Sequence, residues 1–90
     1  MSATLVVRHK VDDYRAWRDV YDDLEPLRAR HGCTAQRVLR LPDDANDLLI
    51  THEFPTVDQA VSYSQSADLK AGMARAGVAG PPRVEIFAAV

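Results

Sequence analysis

The residues of this chain whose types suit chemistry are its three histidines, its single cysteine, its three tyrosines and its single tryptophan. His52 stands out among them. It lies inside the apolar run Leu48 to Phe54 (LLITHEF), where an unpaired polar group is costly, so it must find a partner. An imidazole titrates near neutrality, which suits a general base or a donor that orients a bound ligand. The plainer role is a structural histidine hydrogen-bonded to a helix or a neighbouring side chain. Trp17, Tyr21 and Met73 fall on apolar stripes of helical spacing, and Tyr63 sits near the end of a later helical stretch. As a set they suit an aromatic pocket that holds flat organic molecules; their bland alternative is ordinary core packing.

The remaining candidates carry less. His9 shares the nominal face of His52, but pairing two antiparallel strands centre to centre puts the two rings over ~10 Å apart, too far to share a metal. His31 reads as a helix C-terminal residue interacting with the dipole, and it has no HxxxH or HExxH companion. Cys33 has no second cysteine to pair with and reads as a small core residue opening a strand. Ser62, Ser64 and Ser66 lack a recognisable histidine and carboxylate partner, and there is no GxSxG, phosphate-binding loop or dinucleotide fingerprint. No metal site and no bound cofactor are implied.

The elements that must position these residues follow from periodicity. Thr4 to Lys10 alternates as a strand, with Leu5, Val7 and His9 on one face and Val6, Arg8 and Lys10 on the other. Asp12 or Asp13 caps a helix whose stripe is Tyr14, Trp17, Tyr21, Leu24 and Leu27, running to about His31 with Gly32 as its stop. Arg28, Arg30 and His31 form its basic end, and Pro26 predicts a kink. Cys33 to Leu41 is a second strand, PDDAND at 42 to 47 a turn, and Leu48 to Phe54 the central strand that completes a hairpin. Thr56 and Gln59 form a capping box for a helix with Val57, Ala60, Val61 and Ser64 inward. Ser66 caps a further segment striped by Leu69, Met73 and Ala76 and ended by Gly77. GVAGPP reads as a turn before a last strand, Arg83 to Val90.

That order, β-α-β-β-α-β, predicts an α+β ferredoxin-like fold: a four-stranded antiparallel sheet with both helices on one face and strands one and three central. Ninety residues make one domain, 1–90. The second sheet face, assigned Val6, Val38, Leu49 and Phe87 beside Arg8, Arg40, Glu53 and Glu85, mixes oily and charged residues. Such a surface suits a symmetric interface, so a homodimer through the sheet face is expected. With 47% hydrophobic residues and a net charge of -2, the chain has no nucleic-acid footprint. No apolar run approaches a membrane span, and the N-terminus lacks a signal-peptide pattern, so a cytoplasmic location is expected.

Three segments carry a resemblance: RHKVDDYRAW at 8 to 17, EPLRARHG at 25 to 32 and SADLKAGMARAGVAGPP at 66 to 82. With a tryptophan on the first helix and a late AGV-G-P segment, the chain resembles the small dimeric α/β-barrel proteins grouped with antibiotic biosynthesis monooxygenases. The resemblance implies that fold and dimer across nearly the whole chain. It also implies binding of a small aromatic or polyketide-like molecule, either by a cofactor-independent monooxygenase or cyclase-like enzyme or by a non-catalytic accessory homodimer. In the catalytic branches an asparagine on a strand works with a tryptophan beyond it. Here Asn46 falls in the expected hairpin turn and Trp17 is the sole tryptophan. The residues assigned are therefore His52 as the proton-handling group, with Trp17, Tyr21, His52 and Tyr63 lining the ligand site.

Overall fold

The computed structural model describes residues 1–90, in the order β1 (Ala3–Val11), α1 (Tyr14–Asp23), α2 (Glu25–Arg30), β2 (Ala35–Leu41), β3 (Asp44–Phe54), α3 (Val57–Ser64), α4 (Ala67–Ala76) and β4 (Val78–Ala88). The strands form one antiparallel sheet in the order β2-β3-β1-β4, the ferredoxin-like arrangement expected, with β1 and β3 central. The helices cover one face.

Local signals set most boundaries. Asp13 caps α1 through the Arg15 N–H, Thr56 caps α3 through that of Gln59, and Ser66 caps α4 through that of Leu69. Gly77 ends α4 in the left-handed conformation, at φ 75°. The expected single helix is two: the chain breaks at Leu24, and Pro26 lies in the first turn of α2, where its missing N–H costs nothing.

Two expected turns are instead strand. β3 begins at Asp44, so the hairpin turn is only Pro42 and Asp43, and a register shift between Arg40 and Leu41 absorbs the extra residues of β3. Asn46 is therefore on a strand. Likewise Val78 to Pro82 extends β4, with a second irregularity opposite Arg8 and Lys10. Prolines are tolerated there because β4 is an edge strand. Cys33 lies before β2, half-buried, its thiol donating to the Ala35 carbonyl.

The helix-facing side carries Ala3, Leu5, Val7, His9 and Val11 from β1 and Leu48, Ile50, His52 and Phe54 from β3, nearly all buried. Around Phe54, Leu5, Leu24, Leu27, Ala60 and Tyr63 form one part of the core; Trp17, Tyr21, Leu48, Ile50 and Ala76 form the other. Each large side chain removed from water contributes about 1.5–3 kcal/mol. In α3, Tyr63 rather than Val61 completes the buried stripe with Ala60.

One face assignment needs correction. Val38 pairs with Ile50 and Arg40 with Leu48, which puts both on the helix side, while Leu39 pairs with Leu49 on the other. Val38 packs against the core, and the Arg40 guanidinium lies 4.9 Å from the centre of the Tyr14 ring. Adjacent apolar residues at 38 and 39 leave the alternation ambiguous, and pairing with β3 decides it. The uncovered face thus carries Val6, Leu39, Leu49 and Phe87 among Arg8, Arg37, Glu53 and Glu85, with Phe87 55% exposed.

Candidate functional site

Between the helices and the sheet lies a cavity of about 690 Å³. Its floor is Leu5, Val7, His9, Ile50 and His52; α1 supplies Trp17 and Tyr21, α3 Tyr63, and α4 Leu69 and Met73. Gly80, Pro82 and Val84 of β4 line it as well, and Val84, on the helix side of the sheet, is 46% exposed. Four helices this short do not reach across the whole sheet. The 80–84 part of β4 stays exposed while Ile86 packs on the core, and the cavity meets solvent at that exposed part.

All four residues assigned from the sequence meet in this cavity. Trp17 and Tyr21, one helical turn apart on the inward stripe of α1, stack at 4.8 Å with their planes 20° apart. The Tyr21 hydroxyl lies 3.0 Å from His52 Nε2, and the His52 ring lies 5.5 Å from that of Tyr63. At the other end His9 stands edge-on to Trp17 at 5.8 Å. His9 pairs with Leu48 and His52 with Leu5, so the two histidines are four residues apart along the sheet, about 13 Å. They bracket one aromatic wall rather than share an ion.

Burial sets the protonation of this wall. His52, 3% exposed, is held down to about 4 by desolvation and, to a lesser extent, by the Arg28 guanidinium, so it is neutral at physiological pH. Burial also lowers His9 and raises Tyr21 and Tyr63. The Tyr21–His52 pair is a neutral hydrogen bond with two arrangements. If the hydroxyl donates, His52 carries its proton on Nδ1; if Nε2–H donates, Nδ1 is a bare acceptor. In both, Nδ1 is buried without a partner. His9 Nε2 and Trp17 Nε1 are also buried and unpartnered, so three residues that line one cavity each keep a nitrogen that is closed to solvent and without a hydrogen bond.

The sequence missed Arg28. It is 2% exposed, its guanidinium lies 3.8 Å from the centre of the Tyr21 ring, and its Nη1 donates to the Tyr21 carbonyl at 2.8 Å. The signal was there: Trp17, Tyr21, Leu24 and Arg28 continue one stripe, which the break at Leu24 does not interrupt. Asn46, by contrast, is committed elsewhere, its Oδ1 accepting from the Tyr14 N–H at 2.9 Å, and it does not line the cavity. His31 faces Ser62 and the edge of Tyr63 instead of the cavity.

A ferredoxin-like sheet with an open aromatic cavity under its helices is thus the class of protein defined here. Within that class, the chain has the fold of the antibiotic biosynthesis monooxygenases. A Bordetella bronchiseptica protein described as an antibiotic biosynthesis monooxygenase superposes with a TM-score of 0.81 at 21% identity, over 99% of this chain and 97% of that one. SnoaB, a cofactor-independent oxygenase from Streptomyces nogalater, gives 0.81 at 18% identity, over 99% and 93%. Rv0793 from Mycobacterium tuberculosis gives 0.76 at 19% identity, over 100% and 96%. No protein-family model and no curated protein sequence matches the chain. No helix is long and apolar enough to cross a membrane.

Proposed function

We propose that this 1–90 domain is a small-molecule-binding protein of the cytoplasm whose cavity takes a planar aromatic or polyketide-like ligand, and that it oxidises that ligand with dioxygen, without a bound cofactor. The single observation that carries the reading is the cavity wall: a stacked Trp17–Tyr21 pair beside a buried histidine whose Nδ1 has no partner. SnoaB, which shares this fold, is a cofactor-independent oxygenase, and that supports the choice of reaction. A flat ring held against Trp17 and Tyr21 brings an activated C–H towards His52 Nδ1 in the tautomer where that nitrogen is bare. The proton passes to Nδ1 and the carbanion adds to dioxygen, forming a C–O bond. The imidazolium returns its proton to the peroxide. Loss of the second C–H proton then breaks the O–O bond, so that a ring methylene and dioxygen become a carbonyl and water.

The uncovered sheet face supports a homodimer, with Leu39, Leu49 and Phe87 of each copy against the other and Arg37 and Glu53 able to pair across it. The test of the reaction is oxygen uptake with an anthrone-like substrate, which carries the ring methylene. Turnover in air, lost in His52→Ala and kept in His31→Ala, is expected; a rate no higher than that without protein overturns the oxygenase.

A second reading is favoured by two observations. Asn46 is spent on the α1 backbone, and an imidazole held to about 4 is a weak base while the cavity is empty. On that reading the homodimer binds the same ligand without turning it over. Saturable binding with no oxygen uptake selects it.

A further inference from the structure

Arg28 is a cation in the wrong place for a purely structural role. It is almost wholly buried and forms no ion pair, although Arg8, Lys10, Arg18, Arg30 and Arg83 all pair with carboxylates. A buried charge without a counter-charge is expensive. Part of the cost is met where Nη1 donates to the Tyr21 carbonyl in the last turn of α1, whose dipole supplies roughly half a negative charge. Its Nε has no partner at all.

The position of the guanidinium gives the remaining charge a use. Arg28, Tyr21 and Trp17 form three layers: the guanidinium 3.8 Å from the centre of the Tyr21 ring, and Tyr21 stacked on Trp17 at 4.8 Å. Tyr21 and Trp17 line the cavity, while Arg28 lies behind them. Its field therefore reaches the cavity past the Tyr21 ring rather than through bulk water. Besides burial, which is the larger cause, the same guanidinium lowers His52, in keeping with a positive field at this wall. The charged residues of the lining itself are Asp12 and Lys70, both exposed and of opposite sign. Trp17 Nε1, which can only donate, is buried without a partner.

We infer that the cavity selects an anionic planar ligand, an aromatic carboxylate or an acidic phenol or enol in its ionised form, and that Arg28 is the positioning residue that supplies the missing counter-charge from behind Tyr21. The inference rests on the ligand-binding reading above and names its substrate class. Neutral rings of the same shape enter the cavity but bind more weakly.

The test uses anthracene carboxylate and anthracene methanol as probes, with quenching of Trp17, the only tryptophan, as the readout. Wild-type protein is expected to bind the carboxylate about tenfold tighter or more, the scale of one charge acting across an aromatic layer. In Arg28→Met the preference, read as the ratio of the two affinities, falls to within about twofold; Arg28→Lys keeps part of it. Equal affinities in the wild type overturn the inference whether or not Arg28→Met folds, as does a preference that survives Arg28→Met. Loss of the preference in Lys70→Gln overturns it too, because the charge then acts from the rim. If neither probe quenches Trp17, the pocket reading itself fails, an outcome distinct from two probes binding equally.

Discussion

On β1 and β3 the helix-facing side of the sheet has few polar residues, buried and short of partners; on the opposite side they are many and most are paired. His9, His52, Trp17 and Arg28 each keep a buried nitrogen without a hydrogen bond. Across the sheet, Arg8 holds Asp47, Thr4 donates to Glu53 at 2.9 Å and Arg83 reaches Glu85 at 3.0 Å. The difference separates two uses of a sheet. The outer face pairs most of its charges, with Arg37 left over, and carries apolar residues between them, which suits contact with a second copy. The inner face leaves an open aromatic cavity whose wall residues His9, Trp17 and His52 each keep an unsatisfied nitrogen, which suits a ligand site.

The comparison breaks most visibly on the outer face. Phe87→Asp places a charge at the proposed dimer contact in both subunits at once, and should weaken association roughly a hundredfold or more, read by sedimentation over a dilution series. A wild type that sediments as a single copy removes the dimer. On the inner face, acid should destabilise the fold. The ordinary histidine value is 6.5 and folded His52 lies at about 4, so between these the unfolded chain takes up a proton that the folded one refuses. Stability from this site is fully present above pH 6.5 and falls, by on the order of 3 kcal/mol, as the pH drops to about 4. His9, lowered by burial, pulls in the same direction. Denaturant midpoints across that range check it, and His52→Phe should flatten the slope.

Smaller effects sharpen the same contrast. Tyr21→Phe removes the partner of His52 Nε2 and leaves a second buried nitrogen bare, at a cost of about 1–3 kcal/mol in thermal or denaturant unfolding. Asn46→Ala frees the Tyr14 N–H at the start of α1 and should cost about 1 kcal/mol, without changing ligand affinity, because that side chain is outside the cavity.

The inner face was largely legible in the sequence because its residues obey simple periods. Leu5, Val7 and His9, and Leu48, Ile50, His52 and Phe54, alternate cleanly, and Trp17 and Tyr21 keep a helical spacing that points them at those strands. What hid was everything that depends on pairing across the fold. Val38 and Leu39 are both apolar, so only their partners on β3 say which is inside. PDDAND and GVAGPP carry turn residues, yet strand irregularities absorb them and extend β3 and β4. Arg28 was masked by its charge, which suited the end of a helix so well that its place on the buried stripe went unused. The Tyr21–His52 bond joins residues far apart in sequence, and no local pattern announces it.

The aromatic cavity of the inner face is, as proposed above, a ligand site. Its most direct test is an NMR titration of nitrogen-labelled protein with a planar aromatic carboxylate, following the single indole N–H of Trp17 and the imidazole nitrogens of His9 and His52. Saturable shifts at Trp17 Nε1 and His52 Nδ1, with the amides of Val6, Leu39 and Phe87 unmoved, are the predicted result. Shifts confined to the outer face, or none at any concentration the ligand allows, would contradict it.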